Sequence, residues 1–150
     1  MENEIKSIKV AFVQKVGDDQ YETETMWCDI VDNNNYKIAN IPAIVKNVSL
    51  GDIIEVEYDT DEERFYFESL ILASGNSTVH IFVYRDEDVD PAKIWLEDNK
   101  CETEILRQRN IIAVNIPKQI NYSPIKKYLH EGEEKEIWTY EESCLEHDYN

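Results

Sequence analysis

The chain of 150 residues is poor in the residues that build most catalytic and cofactor-binding motifs: it has four glycines, three cysteines and three histidines. It contains no Gly-x-Gly-x-x-Gly or Walker-type sequence, so a glycine-rich phosphate loop is not expected. It also lacks Cys-x-x-Cys and His-Glu-x-x-His, the short motifs of redox and zinc enzymes. The sequence therefore predicts no bound metal and no cofactor.

Long apolar runs are also missing. No segment approaches the roughly 20 apolar residues of a membrane span, and the first ten residues, MENEIKSIKV, lack the apolar core of a signal peptide. The cysteines at positions 28, 101 and 144 are odd in number and far apart, which favours reduced, packed thiols over disulfides. We therefore expect a cytoplasmic protein with no membrane partner.

Positive charge is scarce, because 32 acidic residues face only 15 basic ones and the formal net charge is −17. Residues 1–75 hold 16 acids and 6 bases, and residues 76–150 hold 16 acids and 9 bases, so the acidity extends over the whole chain. Such a surface repels phosphate, which argues against nucleic acid as a partner. It would attract a basic protein, although solubility alone is an equally good explanation of the charge.

No pair of side chains suggests a catalytic nucleophile with its base. Cys101 has Glu102 beside it, and acidic neighbours raise the pKa of a thiol, so packing is the better interpretation. His80, His130 and His147 are scattered, and a metal site would need ligands to converge from distant segments. We therefore expect a protein that is not an enzyme.

The two halves of the chain have different patterns. In residues 1–74 apolar residues alternate over short segments separated by turns, which predicts five or six strands and a small SH3-like β-barrel. In residues 75–150 the predicted order is β-α-β-β-α-β, that of a ferredoxin-like unit. The fold class is therefore α+β, with the two halves packed as one compact unit. We expect Trp27 to be buried in the barrel, Trp95 to be buried between helix and sheet, and Gly132 to follow the end of the second helix.

The densest acidic run covers residues 55–63 and lies on a predicted strand and its turn. A calcium loop would need a glycine at its bend, which this run lacks. Tyrosine beside charge is typical of protein interfaces, so the run is either a surface that binds Lys and Arg or a solvated hairpin tip. The candidate partner-binding residues are Tyr58, Asp59, Asp61, Glu62, Glu63 and Tyr66, with Glu133 and Glu134 from a second acidic run at residues 131–136.

Several short motifs, taken together and in this order, resemble an uncharacterised bacterial family, the domain of unknown function 4265. They are ETMW at residues 24–27, NIP at 40–42, GD at 51–52, SGNST at 74–78, AVNIP at 113–117 and WTYEE at 138–142. The resemblance covers about residues 20–145 and implies no known activity, cofactor or catalytic residue. It implies a genomic context, since small bacterial proteins of this kind are often encoded beside toxins.

Two functions follow as alternatives. The first is an immunity protein that neutralises a basic bacterial toxin, with a nuclease as the favoured class, by covering its active site. The second is a ligand-binding or regulatory module, because ferredoxin-like units often bind small molecules.

Overall fold

The computed structural model describes residues 6–148 and shows a mixed α+β protein with two compact units, the first ending at Ser74 and the second beginning at Gly75. In the first unit five strands form a closed barrel in the order β1-β2-β3-β4-β5, and β1 closes the barrel by pairing in parallel with β5. The predicted small barrel is therefore confirmed. The strands are β1 (Ser7–Gly17), β2 (Gln20–Asp32), β3 (Asn35–Ile38), β4 (Ile53–Asp59) and β5 (Arg64–Leu72).

Strand alternation decides what fills the barrel, because successive side chains point to opposite faces. Met26 and Cys28 of β2 point inward and are buried with Val10, Ile38 and Ile54. Trp27 lies between them in sequence and therefore points outward, with 47% of its surface exposed. The prediction that Trp27 is buried in the barrel was wrong, because the interior accepts only one face of each strand.

The connection between β3 and β4 is held by Glu24. Its carboxylate accepts the backbone N–H groups of Ala43 (2.8 Å), Ile44 (2.9 Å) and Val45 (3.0 Å). Hydrogen bonds to an ionised group are roughly twice as strong as neutral ones, so this one side chain orders three consecutive residues. Glu24 belongs to a motif that carried the family resemblance, and the residues it holds directly follow another, the NIP motif at residues 40–42; its role here is structural.

Asp52, in another of those motifs, also shapes backbone. It is buried and accepts the N–H groups of Ser49 and Ser74, both at 2.9 Å. Gly51 before it has φ of 87°, which glycine adopts without steric cost. Asp52 therefore ties the turn that precedes β4 to the last residue of the first unit.

The second unit is a four-stranded sheet with two helices. The strand order is β7-β8-β6-β9, and every neighbouring pair is antiparallel. Short 3-10 helices cover Asp86–Asp88 and Arg107–Arg109. The main elements are β6 (Ser77–Val83), α1 (Val89–Asp98), β7 (Glu102–Leu106), β8 (Ile111–Ile116), α2 (Ser123–Glu134) and β9 (Trp138–Cys144).

Both helices contribute to one apolar core with the sheet. Leu96 of α1 and Leu129 of α2 are fully buried against Ile81 of β6 and Ile112 of β8. None of the helices within residues 6–148 has the length and apolar character required to cross a membrane.

Trp95 lies elsewhere than expected. It is half-buried, and its ring stacks on Tyr128 with centroids 3.7 Å apart and planes 8° apart. Because Tyr128 is on α2, the indole packs between the two helices, and it also packs against the core that the helices share with the sheet. Trp95 is partly buried.

Helix α2 also ends later than predicted. Gly132 is not the residue after the helix; it lies inside it, buried against the ring of Trp138. Trp138 donates its Nε1–H to the carbonyl of Leu129 at 2.9 Å, which fixes the indole across the helix. The left-handed residue after the helix is Glu136, with φ of 58°.

Candidate functional site

The predicted acidic run forms the β4–β5 hairpin and its turn. Asp59 shapes this turn, because its Oδ1 accepts the N–H groups of Asp61 (2.9 Å) and Glu62 (3.0 Å). The side chains of Asp61, Glu62 and Glu63 are exposed, and Glu63 has a left-handed φ of 53°. The hairpin therefore exposes three carboxylates to solvent, while one oxygen of the Asp59 carboxylate is hydrogen-bonded to the backbone of the turn.

The two predicted tyrosines lie beside this turn. Tyr58 is 46% exposed, and its ring tilts against Phe65 with centroids 4.8 Å apart. Tyr66 is half-buried, and the Arg64 guanidinium lies 5.7 Å from its ring centroid. Tyr58, Asp59 and Tyr66 line one shallow depression together with Glu57. The structure thus brings the six hairpin candidates together.

Sequence reasoning omitted Glu68, which joins Glu55 and Glu57 on the same hairpin. The ladder between β4 and β5 shifts between Glu55 and Val56, so that Glu68 has no direct partner in the register. Glu55, Glu57 and Glu68 line a second depression of about 310 Å³. The alternation of side chains along a strand does not predict that Glu68 lies beside Glu57, because no residue in this sequence indicates where the bulge occurs.

The crowding of these carboxyl groups alters their chemistry. The pKa of Glu68 is raised, first by a hydrogen bond shared with Glu57, then by the negative charge of Glu57 and, more weakly, of Glu55. Two of the causes are negative charges on neighbouring carboxylates, which disfavour the ionised form of Glu68. The carboxylates of this hairpin therefore repel one another, and a cation from a partner protein would reduce that repulsion.

Replacing Glu68 with glutamine is expected to raise Tm slightly at pH 7, by a degree or two. The folded protein holds the Glu68 proton more tightly than the unfolded chain does, so Glu68 lowers stability as pH rises through its raised pKa. The gain should disappear below the ordinary pKa of glutamate, about 4.3. Thermal melts between pH 3 and pH 7, at roughly unit steps, measure it.

The matched control is Glu62→Gln, the same change on the exposed turn of the same hairpin. It should give a smaller rise in Tm at pH 7, because the Glu62 carboxyl group is exposed on the turn and does not line the depression that holds Glu57 and Glu68. Equal effects of the two substitutions would show that the Glu57–Glu68 contact has no energetic consequence.

The other two candidates are in the second unit. Glu134 at the end of α2 lies 3.3 Å from His130, one helical turn earlier, and both side chains are largely exposed. Glu133 accepts a hydrogen bond from Thr139 at 3.3 Å. Glu133 and Glu134 thus have local partners at the end of α2 and lie in the second unit.

The two buried cysteines have thiols that are poorly ionised. Burial raises the pKa of both Cys28 and Cys101 to about 12, with smaller contributions from Asp29 and Glu102. At neutral pH almost none of either thiol is ionised, so neither is a nucleophile. For Cys101 the acidic neighbour acts in the expected direction, but burial is the larger cause.

Two histidines make structural contacts. His80 is buried in β6 with Nδ1 3.2 Å from Glu141. In His147, Nδ1 lies 2.5 Å from the Ser77 hydroxyl and Nε2 lies 2.8 Å from the carbonyl of Pro117. Ser77 is fully buried and accepts the N–H of His147, so this Ser-His pair anchors the chain and is closed to substrate. Within residues 6–148 no three His, Cys, Asp or Glu side chains are arranged to hold a metal ion.

A polar network links α2 to β9. The Glu142 carboxylate accepts the hydroxyl of Tyr122 at 2.6 Å and pairs with Lys126 at 3.1 Å. Burial lowers the pKa of Lys126, but hydrogen bonds with Tyr140 and Glu142 outweigh it, and the pKa is raised overall. The ammonium also lies 5.2 Å from the ring centroid of Tyr140. Since each group has a partner, the network stabilises the fold.

Comparison with known proteins identifies relatives without an assigned activity. The model of a family described as a domain of unknown function, DUF4265, matches residues 24–140. The chain is also similar to the crystal structure of a hypothetical protein from Neisseria gonorrhoeae, with a TM-score of 0.78 and 26% sequence identity. That similarity covers 99% of this chain and 100% of the other. No curated protein matches the chain.

Proposed function

The chain belongs to the DUF4265 family of domains of unknown function, and we propose that this member is a non-enzymatic inhibitor that binds a basic protein through its β4–β5 hairpin. The observation that carries the proposal is the crowding of Glu55, Glu57 and Glu68, which line one depression on an already acidic surface. Crowded like charges favour a site that a cationic partner completes.

The partner we propose is a bacterial toxin, which makes this protein an immunity protein acting in the cytoplasm. A nuclease is the favoured class, because its cleft binds phosphate with Lys and Arg side chains that acidic residues can occupy instead. Asp61, Glu62 and Glu63 would steer the encounter, and Tyr58 and Tyr66 would supply apolar contact area. Inhibition then follows from covering the cleft and requires no chemistry.

We also assign the barrel to the SH3-like class and the second unit to the ferredoxin-like class. The β-α-β-β-α-β order and the strand order β7-β8-β6-β9 support the second assignment. The closed meander of five strands, in which only the β3–β4 connection is long, supports the first.

A second candidate function is a ligand-binding or regulatory module. It is favoured by a cavity of about 140 Å³ beside α1 and α2, lined by Ala92, Tyr128 and Trp138 with Glu131 and Lys135. The cavity is smaller than the 300–1,000 Å³ typical of ligand pockets, so the hairpin is the better-supported site.

The proposal is tested by replacing Asp59, Asp61, Glu62 and Glu63 with lysine. Toxin domains encoded beside the gene serve as partners, in a growth-protection assay and in binding measured at several salt concentrations. The variant should lose about 3 kcal/mol or more of binding free energy, roughly a hundredfold in Kd, because four charges of the wrong sign face basic residues. The on-rate of the unmodified protein should fall as salt rises.

The matched control is Glu133→Lys with Glu134→Lys, which reverses two exposed charges outside the hairpin. It should leave affinity within a few fold and retain the unmodified Tm within a few degrees. The fourfold variant loses the Asp59 carboxylate that accepts two N–H groups of the turn, so a thermal melt must show that it is folded before its binding is compared. Protection by the fourfold variant at full strength would overturn the hairpin as the binding site. Loss of protection in the control alone would show that the toxin binds at the end of α2.

A further inference from the structure

An open groove on the outer face of the barrel runs along β1, β2 and β5. It has a volume of about 640 Å³, and Trp27 forms one wall. A half-exposed tryptophan on a strand is unusual, because burying it would contribute more apolar area than almost any other side chain. The lining residues are Ser7, Ile8, Lys9, Thr25, Trp27, Glu63, Arg64 and Phe65.

Two cations converge on this groove. The Lys9 ammonium lies 5.2 Å from the centroid of the Trp27 ring, opposite it in the strand register. Arg64 donates to the Thr25 hydroxyl at 3.0 Å and also faces the ring of Tyr66. Both cations are therefore positioned by neutral groups, and no carboxylate within residues 6–148 forms an ion pair with either of them.

We propose that this groove binds an extended acidic peptide segment of a partner protein. One carboxylate of the segment would bridge Lys9 and Arg64, since a guanidinium matches a carboxylate in shape and charge. An apolar side chain next to that carboxylate would pack on the exposed face of Trp27. The required charge is opposite to that of the partner proposed for the hairpin, so this inference does not depend on the proposed function.

The shape and charge of the protein favour a peptide over a nucleic acid. The groove spans three neighbouring strands of the barrel and is open to solvent, which leaves room for an extended chain. The net charge of −17 opposes a polyanion, and two cations cannot offset repulsion of successive phosphates. A peptide with one carboxylate next to one apolar residue can be bound by the two cations and the one exposed tryptophan of the groove.

The experiment is selection of random dodecapeptides displayed on phage against the whole protein. Enriched sequences should carry Asp or Glu next to an aromatic or aliphatic residue. A synthetic peptide of the enriched sequence should change the fluorescence of Trp27, the most exposed of the three tryptophans. Its affinity should fall about tenfold or more in Lys9→Gln, in Arg64→Gln and in Trp27→Ala, all of which alter exposed or half-exposed groove side chains.

Lys15→Gln is the matched control, because Lys15 is an exposed lysine on the same strand and the same face but outside the groove. It should bind the peptide as the unmodified protein does. A triple hairpin variant, Asp59→Lys with Asp61→Lys and Glu62→Lys, leaves the groove residue Glu63 unchanged and should also still bind the peptide, which separates this test from that of the proposed function. Selection without acidic enrichment, equal affinity in Lys9→Gln and Arg64→Gln, or tighter binding of a single-stranded DNA dodecamer would each overturn the proposal.

Discussion

Replacing Gly132 with alanine is expected to destabilise the protein by about 3 kcal/mol or more. In an exposed helix this substitution stabilises by roughly 1 kcal/mol, because alanine has the higher helix propensity. Here a Cβ at residue 132 would lie 2.6 Å from Nε1 of Trp138 and closer still to two ring carbons. The indole is buried and held by its hydrogen bond to Leu129, so it cannot move aside without loss.

A urea melt measures the effect, with Glu133→Ala, an exposed position on the same turn of α2, as control. The control should change stability by less than about 0.5 kcal/mol. In the double variant Gly132→Ala with Trp138→Phe, the smaller ring should relieve the clash, so the two losses should not add. A Gly132→Ala variant more stable than the unmodified protein would show that helix propensity outweighs the contact.

Replacing Glu142 with alanine is expected to cost about 2–3 kcal/mol, because it removes the carboxylate that accepts the Tyr122 hydroxyl and pairs with Lys126. Lys126 and Glu142 are only 27% and 20% exposed, and Tyr122 is almost completely buried. The pKa of Lys126 is raised, so the contribution of its ammonium is complete at neutral pH and is lost only as pH rises above the ordinary lysine range. The loss should therefore be nearly constant from pH 6 to pH 9, a window of about three units.

Two comparisons isolate the cause. Lys126→Met with Glu142→Leu removes both charges and should be less destabilised than Glu142→Ala, since apolar groups replace both partners. Glu97→Ala, which breaks the exposed pair with Lys93, should have a much smaller effect. If Glu142→Ala were no more harmful than Glu97→Ala, water would be replacing the carboxylate at low cost.

Part of the candidate site could be predicted from the sequence, because most of its residues are close together along the chain. Asp59, Asp61, Glu62 and Glu63 are contiguous or nearly so, and a hairpin turn keeps such residues together whatever surrounds them. Glu133 and Glu134 were grouped with them only by charge, and they lie in the other unit. Composition shows that the protein surface is acidic, but it does not show which acidic residues lie on the same part of that surface.

The environment of Trp27 could not be predicted from the sequence. Its hydrophobicity predicted burial, whereas strand alternation assigns it to the face opposite Met26 and Cys28. Nothing in the local sequence says whether the outer face of a barrel strand is covered by another element. Lys9 and Arg64 are 55 positions apart in the numbering and meet beside Trp27 only because β1 closes the barrel against β5.

The sequence by itself determined the classes of structure: strands of period two in the first half, two helices and four strands in the second, and an acidic surface throughout. Periodicity, turn residues and charge are local or additive properties, so they can be obtained without coordinates. Only the tertiary structure decided the Glu57–Glu68 contact, the Trp27 groove and the burial of Gly132 against Trp138. Each depends on a bulge, a barrel closure or a helix–strand packing that joins distant residues, and the free energy of those contacts has no local signature.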